Sequence, residues 1–130
     1  MQELYFMKTK STPEVQFDRQ KQRLRIEGQS YPENAFKFYE PVFSWLNDYL
    51  TDSEEGASLE IHINMPYINT SSSKCVMMIL ERLEEAHQNG QKIAVRWYYD
   101  VENETAKECA EEFKEDLTMP FELLPVEEEK

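Results

Sequence analysis

The sequence predicts an α/β domain in which a mixed sheet starts with a β-hairpin and carries three helices mainly on one face. Two apolar/polar alternating runs come first, and three helical patterns then each lead into another alternating run. Because strands that are apolar on one side only are typical of a sheet covered on one face, the helices should share a face. The expected polar, solvent-open face consists of Gln16, Arg25, Glu60, His62, Asn64 and Arg96.

The strands are predicted from short alternating or apolar segments. The hairpin is expected over residues 15–17 and 24–26, with a polar turn at residues 19–22. A short first strand is expected at residues 4–7, and later strands at 59–65, 93–97 and 121–124. A polar loop is expected over residues 52–58.

The helices are predicted from apolar residues at helical spacing. The first should open at residues 31–34, with Pro32 in its first turn, and continue to residue 50. Pro41 lies inside this pattern and either kinks the helix or starts a second segment, and the sequence leaves both open. The second helix should end at Asn89-Gly90, and the third should be capped by Asp100 or Asn103.

Composition limits the classes of partner and compartment. The 130 residues are expected to form a single domain over 1–126, with a frayed acidic tail at 127–130. The net charge of −12 disfavours nucleic acid and anionic membranes as partners. No apolar run is long enough to span a membrane, and no signal peptide is evident. Two cysteines inside helical patterns indicate a reducing compartment, so we expect a cytoplasmic protein without a disulfide.

Motifs for catalysis or cofactor binding are not evident. Three glycines provide no phosphate-binding loop, and no Cys/His spacing suits zinc, so neither a cofactor nor a metal is expected. The acidic residues between 100 and 116 are interpreted as a solvated helix face. A small enzyme using His62 and Asp100 is the alternative, and it would require a deep pocket where polar groups converge.

One polar segment lies where a parallel strand leads into a helix. In open α/β sheets, functional sites are usually found at this edge. The segment consists of Asn69, Thr70, Ser71, Ser72, Ser73 and Lys74. One interpretation is a redundant helix cap, since Asn, Thr and Ser all suit that role. The other is a phosphoacceptor, because a helix N-terminus accommodates a phosphate and Lys74 adds a cation. The residues alone leave both interpretations open.

Several motifs in this order resemble the SiaC family of bacterial regulators. They are Thr12-Pro13-Glu14-Val15, Gly28, Ser30-Tyr31-Pro32-Glu33-Asn34-Ala35, Phe38-Tyr39, Pro41-Val42, Trp45-Leu46, Asn69-Thr70-Ser71-Ser72-Ser73-Lys74, Trp97-Tyr98-Tyr99-Asp100, Glu111-Glu112-Phe113, Glu115-Asp116 and Pro120-Phe121-Glu122-Leu123. The resemblance covers nearly the whole chain, and the segment at 69–74 is its most specific motif.

The resemblance implies a STAS-like fold and a regulatory, non-catalytic adaptor in a partner-switching pathway. A kinase of the SiaB type would phosphorylate Thr70, and a PP2C-like phosphatase of the SiaA type would remove the phosphate. The unmodified form would bind and activate a diguanylate cyclase of the SiaD type, which affects cyclic di-GMP and biofilm formation. Residues 71–73 would then cap the helix, and Lys74 would remain solvated. An antagonist that binds an anti-sigma factor is the alternative within the same class.

Overall fold

The sheet contains six strands in sequence order, and three helices connect its last four strands. The computed structural model describes residues 4–52 and 58–127. The strands are β1 (Tyr5–Phe6), β2 (Glu14–Asp18), β3 (Arg23–Glu27), β4 (Ser58–Asn64), β5 (Lys92–Asp100) and β6 (Phe121–Val126). The helices are α1 (Ala35–Thr51), α2 (Thr70–Gln88) and α3 (Glu104–Lys114). The predicted mixed α/β fold is confirmed.

The pairing of the strands explains why the helices share a face. β1, β2 and β3 pair antiparallel, whereas β3, β4, β5 and β6 are parallel neighbours. Each of the three crossovers therefore advances by one strand in the same direction. Right-handed crossovers in one direction place all their helices on the same side of a sheet. The side chains on that side of the strands are buried, as at Leu24, Ile61 and Val95.

The opposite face of the sheet is polar, as the alternation predicts. Gln16, Arg25 and Arg96 are exposed there, whereas Glu60 and His62 are half-buried among their neighbours. Asn64, also predicted for this face, is half-buried as well. The strand order brings these side chains into register, with Gln16 opposite Arg25, Arg25 opposite His62, and His62 opposite Arg96.

The β-hairpin closes over residues 19–22, as predicted, and Gly28 ends it. The amide of Lys21 donates to the Asp18 carboxylate at 3.2 Å in this turn. Gly28 has a φ of +132°, and a Cβ there would lie 2.9 Å from the Lys8 side chain and 3.1 Å from the Pro13 backbone. Only glycine combines that backbone angle with so close an approach.

Helix α1 is continuous through Pro41, so of the two alternatives the start of a second segment is excluded. Its N-cap is Asn34, whose side chain accepts a hydrogen bond from the Lys37 amide. Pro32 therefore precedes the cap, and its predicted place in the first turn is wrong. The reason is local: the capping oxygen of Asn34 satisfies an amide that has no partner within the helix, and this fixes where the helix begins.

The core between the sheet and the helices is rich in aromatic rings. Phe17 and Trp45 have centroids 4.6 Å apart, and Trp45 stacks on Tyr49 at 5.2 Å. At the other end of the sheet, the ring centroids of Trp97 and Phe113 are 5.4 Å apart. Such pairs add to the burial energy of large rings and tie α1 and α3 to their strands.

The remaining sequence predictions concern cysteines, boundaries and terminal segments. Cys75 and Cys109 are free, as expected. Strands β5 and β6 extend three and two residues beyond the predicted ends at 97 and 124. Most of the expected loop at 52–58 and most of the acidic tail at 127–130 lie outside the described residues. In the described part of the chain, no helix is both long and apolar enough to cross a membrane.

Candidate functional site at the start of helix α2

The segment 69–74 lies at the carboxyl edge of the parallel strands, and Asn69 caps helix α2. The side-chain oxygen of Asn69 accepts a hydrogen bond from the Ser72 amide at 2.9 Å. The backbone carbonyl of Asn69 accepts one from the Ser73 amide at 2.9 Å. Thr70 is the first helical residue. The capping role expected for residues 71–73 is therefore wrong, since these serines lie inside the first turn and the cap precedes them.

The hydroxyl side chains of this turn differ sharply in exposure. Thr70 and Ser71 are exposed, Ser73 is half-buried, and Ser72 is fully buried. Four successive helical positions point in four directions about 100° apart, so one of them must face the core. Thr70 and Ser71 are thus the hydroxyl groups that an enzyme can reach without local unfolding. Lys74 is exposed, as expected.

Three buried hydroxyl groups join this turn to the chain before α1. Ser30 Oγ donates to Ser72 Oγ at 2.8 Å and lies 2.6 Å from the Tyr39 hydroxyl. Because the single proton of Ser30 is used toward Ser72, the Tyr39 hydroxyl donates to Ser30. Burial raises the pKa of Tyr39 to about 12, against the opposing effect of the Ser30 hydrogen bond, so Tyr39 stays protonated at neutral pH.

The backbone reinforces this connection. The Ser30 amide donates to the Tyr67 carbonyl at 2.8 Å, and the Asn69 amide donates to the Ser30 carbonyl at 2.9 Å. Sequence reasoning did not identify the Ser30, Tyr39 and Ser72 connection. A signal was present, because Ser72 precedes the buried Val76 and Ile79 by four and seven residues and so shares their helix face.

The first turn of α2 offers a favourable place for a negative charge. It contains no acidic side chain, whereas the first turn of α3 contains Glu104. The first amides of a helix lack intrahelical partners and carry a partial positive charge. A phosphate on Thr70 would lie beside these amides and one turn from Lys74. The buried hydroxyl groups beneath Thr70 would hold the turn in place.

The alternative catalytic residues, His62 and Asp100, have different hydrogen-bond partners. His62 Nδ1 lies 2.8 Å from the Tyr98 hydroxyl, and His62 Nε2 contacts the Glu60 carboxylate. The Asp100 carboxylate instead accepts from the Glu102 amide at 2.8 Å. His62 lines a cavity of about 300 Å³ on the open sheet face, and Asp100 lines an adjoining one of about 530 Å³ at the carboxyl edge, with Asn64 and Tyr98 between them.

The contact between His62 and Glu60 is part of a charge network on the open sheet face. The hydrogen bond from His62 lowers the pKa of Glu60, burial opposes this effect, and Arg96 and Arg23 add to the lowering. The Arg23 and Arg96 nitrogens lie 3.6 and 3.9 Å from Glu60. His62 is thereby engaged on both ring nitrogens. Across residues 4–52 and 58–127, no group of three acidic, His or Cys side chains is suited to a metal ion.

Comparison with known proteins identifies the family. Residues 6–126 match the family described as SiaC family regulatory phosphoproteins. The chain belongs to the SiaC family. This confirms the resemblance predicted from the motifs. An uncharacterized protein of Pseudomonas aeruginosa strain UCBPP-PA14 is 45% identical to this SiaC-family chain over 121 residues, which are 93% of this chain and 94% of that protein.

Solved SiaC structures have the same fold. SiaC of Pseudomonas aeruginosa superposes with a TM-score of 0.89 at 41% identity, covering 97% of this chain and all of the other. The SiaC that is the activator in a crystal structure with the diguanylate cyclase SiaD, from the same organism, has a TM-score of 0.89 at 43% identity, over 95% and 99% of the two chains. Apo-SiaC from Pseudomonas aeruginosa superposes with a TM-score of 0.87 at 41% identity, covering 95% of this chain and 99% of the other.

Proposed function

We propose that this SiaC-family chain is a non-catalytic adaptor that binds and activates a diguanylate cyclase, and that phosphorylation of Thr70 switches this binding off. The observation that carries the proposal is the exposure of Thr70 on a turn fixed from below by Asn69 and Ser72. A modification there changes the surface of the carboxyl edge while the fold persists. The SiaC relative that is the activator of SiaD supports the choice of partner.

The proposed switch is electrostatic and steric. A kinase of the SiaB type would transfer the γ-phosphoryl group of ATP to Thr70 Oγ1, so that a P–O bond to ADP breaks and the hydroxyl proton leaves. The product carries about −1.5 to −2 additional charge and three acceptor oxygens at neutral pH. A partner surface that fits the bare threonine would meet this bulk and charge. A SiaA-type, PP2C-like phosphatase would restore the hydroxyl group by hydrolysis.

A non-catalytic role is supported by the engagement of His62 with Glu60 and Tyr98 and of the Asp100 carboxylate with the Glu102 amide, since neither residue bonds to the other. A cytoplasmic location belongs to the same proposal, since the kinase needs ATP and the cyclase needs GTP. The STAS-like relationship of the fold stays a prediction from the family resemblance. It is consistent with a mixed sheet that carries its helices on one face.

The switch is tested by incubating the purified chain with its SiaB-type kinase and ATP and locating the phosphate by mass spectrometry. We expect one phosphate, on Thr70, and none on Thr70→Ala. Ser71→Ala is the matched control, since Ser71 is the other exposed hydroxyl residue of the turn, and it should be phosphorylated as the wild type is. Phosphate on Ser71 or Ser73 in the wild type would contradict the assignment.

The output is tested by measuring cyclic di-GMP synthesis by a SiaD-type cyclase with and without this chain. The unmodified chain should increase the rate, and the phosphorylated chain should not. If both forms activate the cyclase equally, binding is not switched at Thr70.

A further inference from the structure

Two serines that are completely buried connect the chain before α1 to the first turn of α2. Ser30 and Ser72 are both 0% exposed, although serine side chains are mostly found at the surface. They are 42 residues apart in the chain, and Ser30 Oγ donates to Ser72 Oγ at 2.8 Å. Two alanines could fill the same space at nearly the same stability. A hydrogen bond differs from such an apolar contact in being directional, so it fixes an orientation.

Ser30 holds the chain on both sides of Thr70. On the N-terminal side, the Ser30 amide donates to the Tyr67 carbonyl at 2.8 Å, and the Ser30 carbonyl accepts from the Asn69 amide at 2.9 Å. On the C-terminal side, the Ser30 hydroxyl group bonds to Ser72. Thr70 therefore lies between two positions, 69 and 72, that are both attached to one buried residue of another segment.

The hydroxyl bond fixes the orientation of the first turn of α2 about the helix axis. The cap at Asn69 determines where the helix begins, whereas the bond between Ser30 and Ser72 determines which side of the turn faces the core. Thr70 and Ser71 are both exposed and point in directions about 100° apart. A turn released from Ser30 could rotate, so that Ser71 would approach the position that Thr70 now occupies.

Phosphoryl transfer depends strongly on such an orientation. The attacking oxygen of the acceptor must lie roughly in line with the bond that breaks to ADP, and the catalytic effect is mostly positioning and electrostatic stabilisation. A displacement of about 1 Å can lower the rate on the order of 100-fold. Because Thr70 belongs to a folded helix, its own surroundings set the direction of its hydroxyl group before the kinase binds.

We infer that Ser30 is a positioning residue for the phosphorylation of Thr70, and that its hydroxyl group, acting through Ser72, selects Thr70 over Ser71. The inference rests on the proposed function and adds what determines the modified residue. Tyr39 supports the arrangement, because its hydroxyl group lies 2.6 Å from Ser30 Oγ and donates to it. The single proton of Ser30 is thereby directed to Ser72.

The kinetics of phosphorylation by the SiaB-type kinase with ATP test this role. Ser30→Ala keeps the backbone bonds to residues 67 and 69 and removes only the hydroxyl group. We expect kcat to fall about tenfold or more with little change in KM, because the docking surface is unchanged while the acceptor is misplaced. Mass spectrometry should find part of the phosphate on Ser71. Ser72→Ala removes the same bond from its other end and should give the same result.

Two further variants separate positioning from stability. The triple variant Ser30→Ala, Tyr39→Phe and Ser72→Ala leaves no member of the connection unpaired, so its thermal stability should be near that of the wild type. Its kcat should nevertheless stay low. Glu84→Gln is the opposite control, since it weakens hydrogen bonds to the segment before β6, about 21 Å farther along α2. It should be less stable than the wild type, yet phosphorylated on Thr70 at the wild-type rate.

The possible results distinguish this inference from the proposed function. Wild-type kcat and exclusive modification of Thr70 in Ser30→Ala and Ser72→Ala would overturn the positioning role while leaving the switch intact. Faster phosphorylation of these variants would also overturn it, because the kinase would then use a locally unfolded turn. Recovery of the wild-type kcat in the triple variant would reduce Ser30 to a structural residue. A wild-type chain that its kinase does not phosphorylate would overturn the switch itself, and the positioning role with it.

Discussion

At the scale of single residues, Thr70 and Asn69 have separable roles. Thr70 begins the helix and faces solvent, while Asn69 supplies the capping oxygen. A mutation at Thr70 can therefore remove the hydroxyl group without removing the cap. This separation makes Thr70 a position where charge can be added or removed at little structural cost.

We expect Thr70→Ala to change the free energy of unfolding by no more than about 0.5 kcal/mol, since alanine is a good helix former and the site is exposed. Asn69→Ala should destabilise the chain by about 1 kcal/mol, since it removes the capping acceptor. Urea unfolding of the two variants measures both values. A Thr70→Ala variant that is as unstable as Asn69→Ala would make the threonine a structural residue.

Ser72 has the opposite character, because it is buried and lies in the connection through Ser30 to Tyr39. Ser72→Ala leaves the Ser30 hydroxyl without its buried acceptor and should cost about 1 to 3 kcal/mol. Tyr39→Phe removes the other end of the connection and provides the comparison. A double-mutant cycle of the two by urea unfolding should give non-additive values, because the residues share Ser30. Additive values would contradict a connected network.

At the scale of elements, the sequence predicts the helices better than their first residues. Asn34, Asn69 and Asn103 cap all three helices by accepting from the amide three residues ahead. The pattern is readable from the sequence for Asn103, which was one of two candidate caps. At α2, four hydroxyl residues compete with Asn69 as capping types. The orientation of the helix about its axis, which the sequence does not give, places Ser72 toward the core. Asn69 is therefore the cap.

A second element-scale feature is the attachment of the segment before β6 to α2. The Glu84 carboxylate accepts hydrogen bonds from the Thr118 and Met119 amides at 2.9 and 3.0 Å and from the Thr118 hydroxyl group. Burial tends to raise the pKa of Glu84, but these bonds and one from Gln88 outweigh it and lower the pKa to about 2. The Glu84 carboxylate thus accepts the hydrogen bonds that the Thr118 and Met119 amides would otherwise make to backbone carbonyls.

We expect Glu84→Gln to destabilise the chain by about 1 to 2 kcal/mol, because a neutral amide oxygen is a weaker acceptor than a carboxylate. Glu85→Gln is the matched control, because the Glu85 side chain is 68% exposed and its carboxylate lies 3.9 Å from Arg82. Thermal unfolding at pH 7 compares the two. Equal stability of both variants would show that the Glu84 hydrogen bonds contribute no net stability.

At the scale of the whole molecule, the fold follows from local pattern plus one rule of handedness. Alternating strands and three helical segments predict the class, and right-handed crossovers then account for helices on one face. The sequence does not determine that each parallel strand pairs with its immediate predecessor, because strand order depends on packing across the sheet. A cavity of about 430 Å³ between α1 and α2, lined by Phe36 and Met78 among others, was missed for the same reason, since its walls come from residues about forty positions apart.

The charge of the molecule also sets how stability depends on pH. Glu60 and Glu84 both have a lowered pKa in the folded chain, so the unfolded chain binds protons first as the pH falls. Their contribution is present above the ordinary glutamate pKa of 4.5 and is lost as the pH falls below it, for Glu84 toward its folded-state pKa of about 2. The midpoint of urea unfolding should therefore decrease steadily between pH 5 and pH 3, within the range around roughly pH 4 where carboxylates titrate.

The same measurement on Glu84→Gln isolates one of the two groups. This variant should be less stable than the wild type at pH 7, and the difference should shrink as the pH falls, because protonation removes the acceptor charge that the mutation has already removed. A difference that stays constant from pH 7 to pH 3 would mean that the Glu84 charge does not stabilise the fold. Since the carboxylate is partly exposed, added salt should reduce the difference at pH 7 without abolishing it, because the hydrogen bonds to the Thr118 and Met119 amides persist when charges are screened.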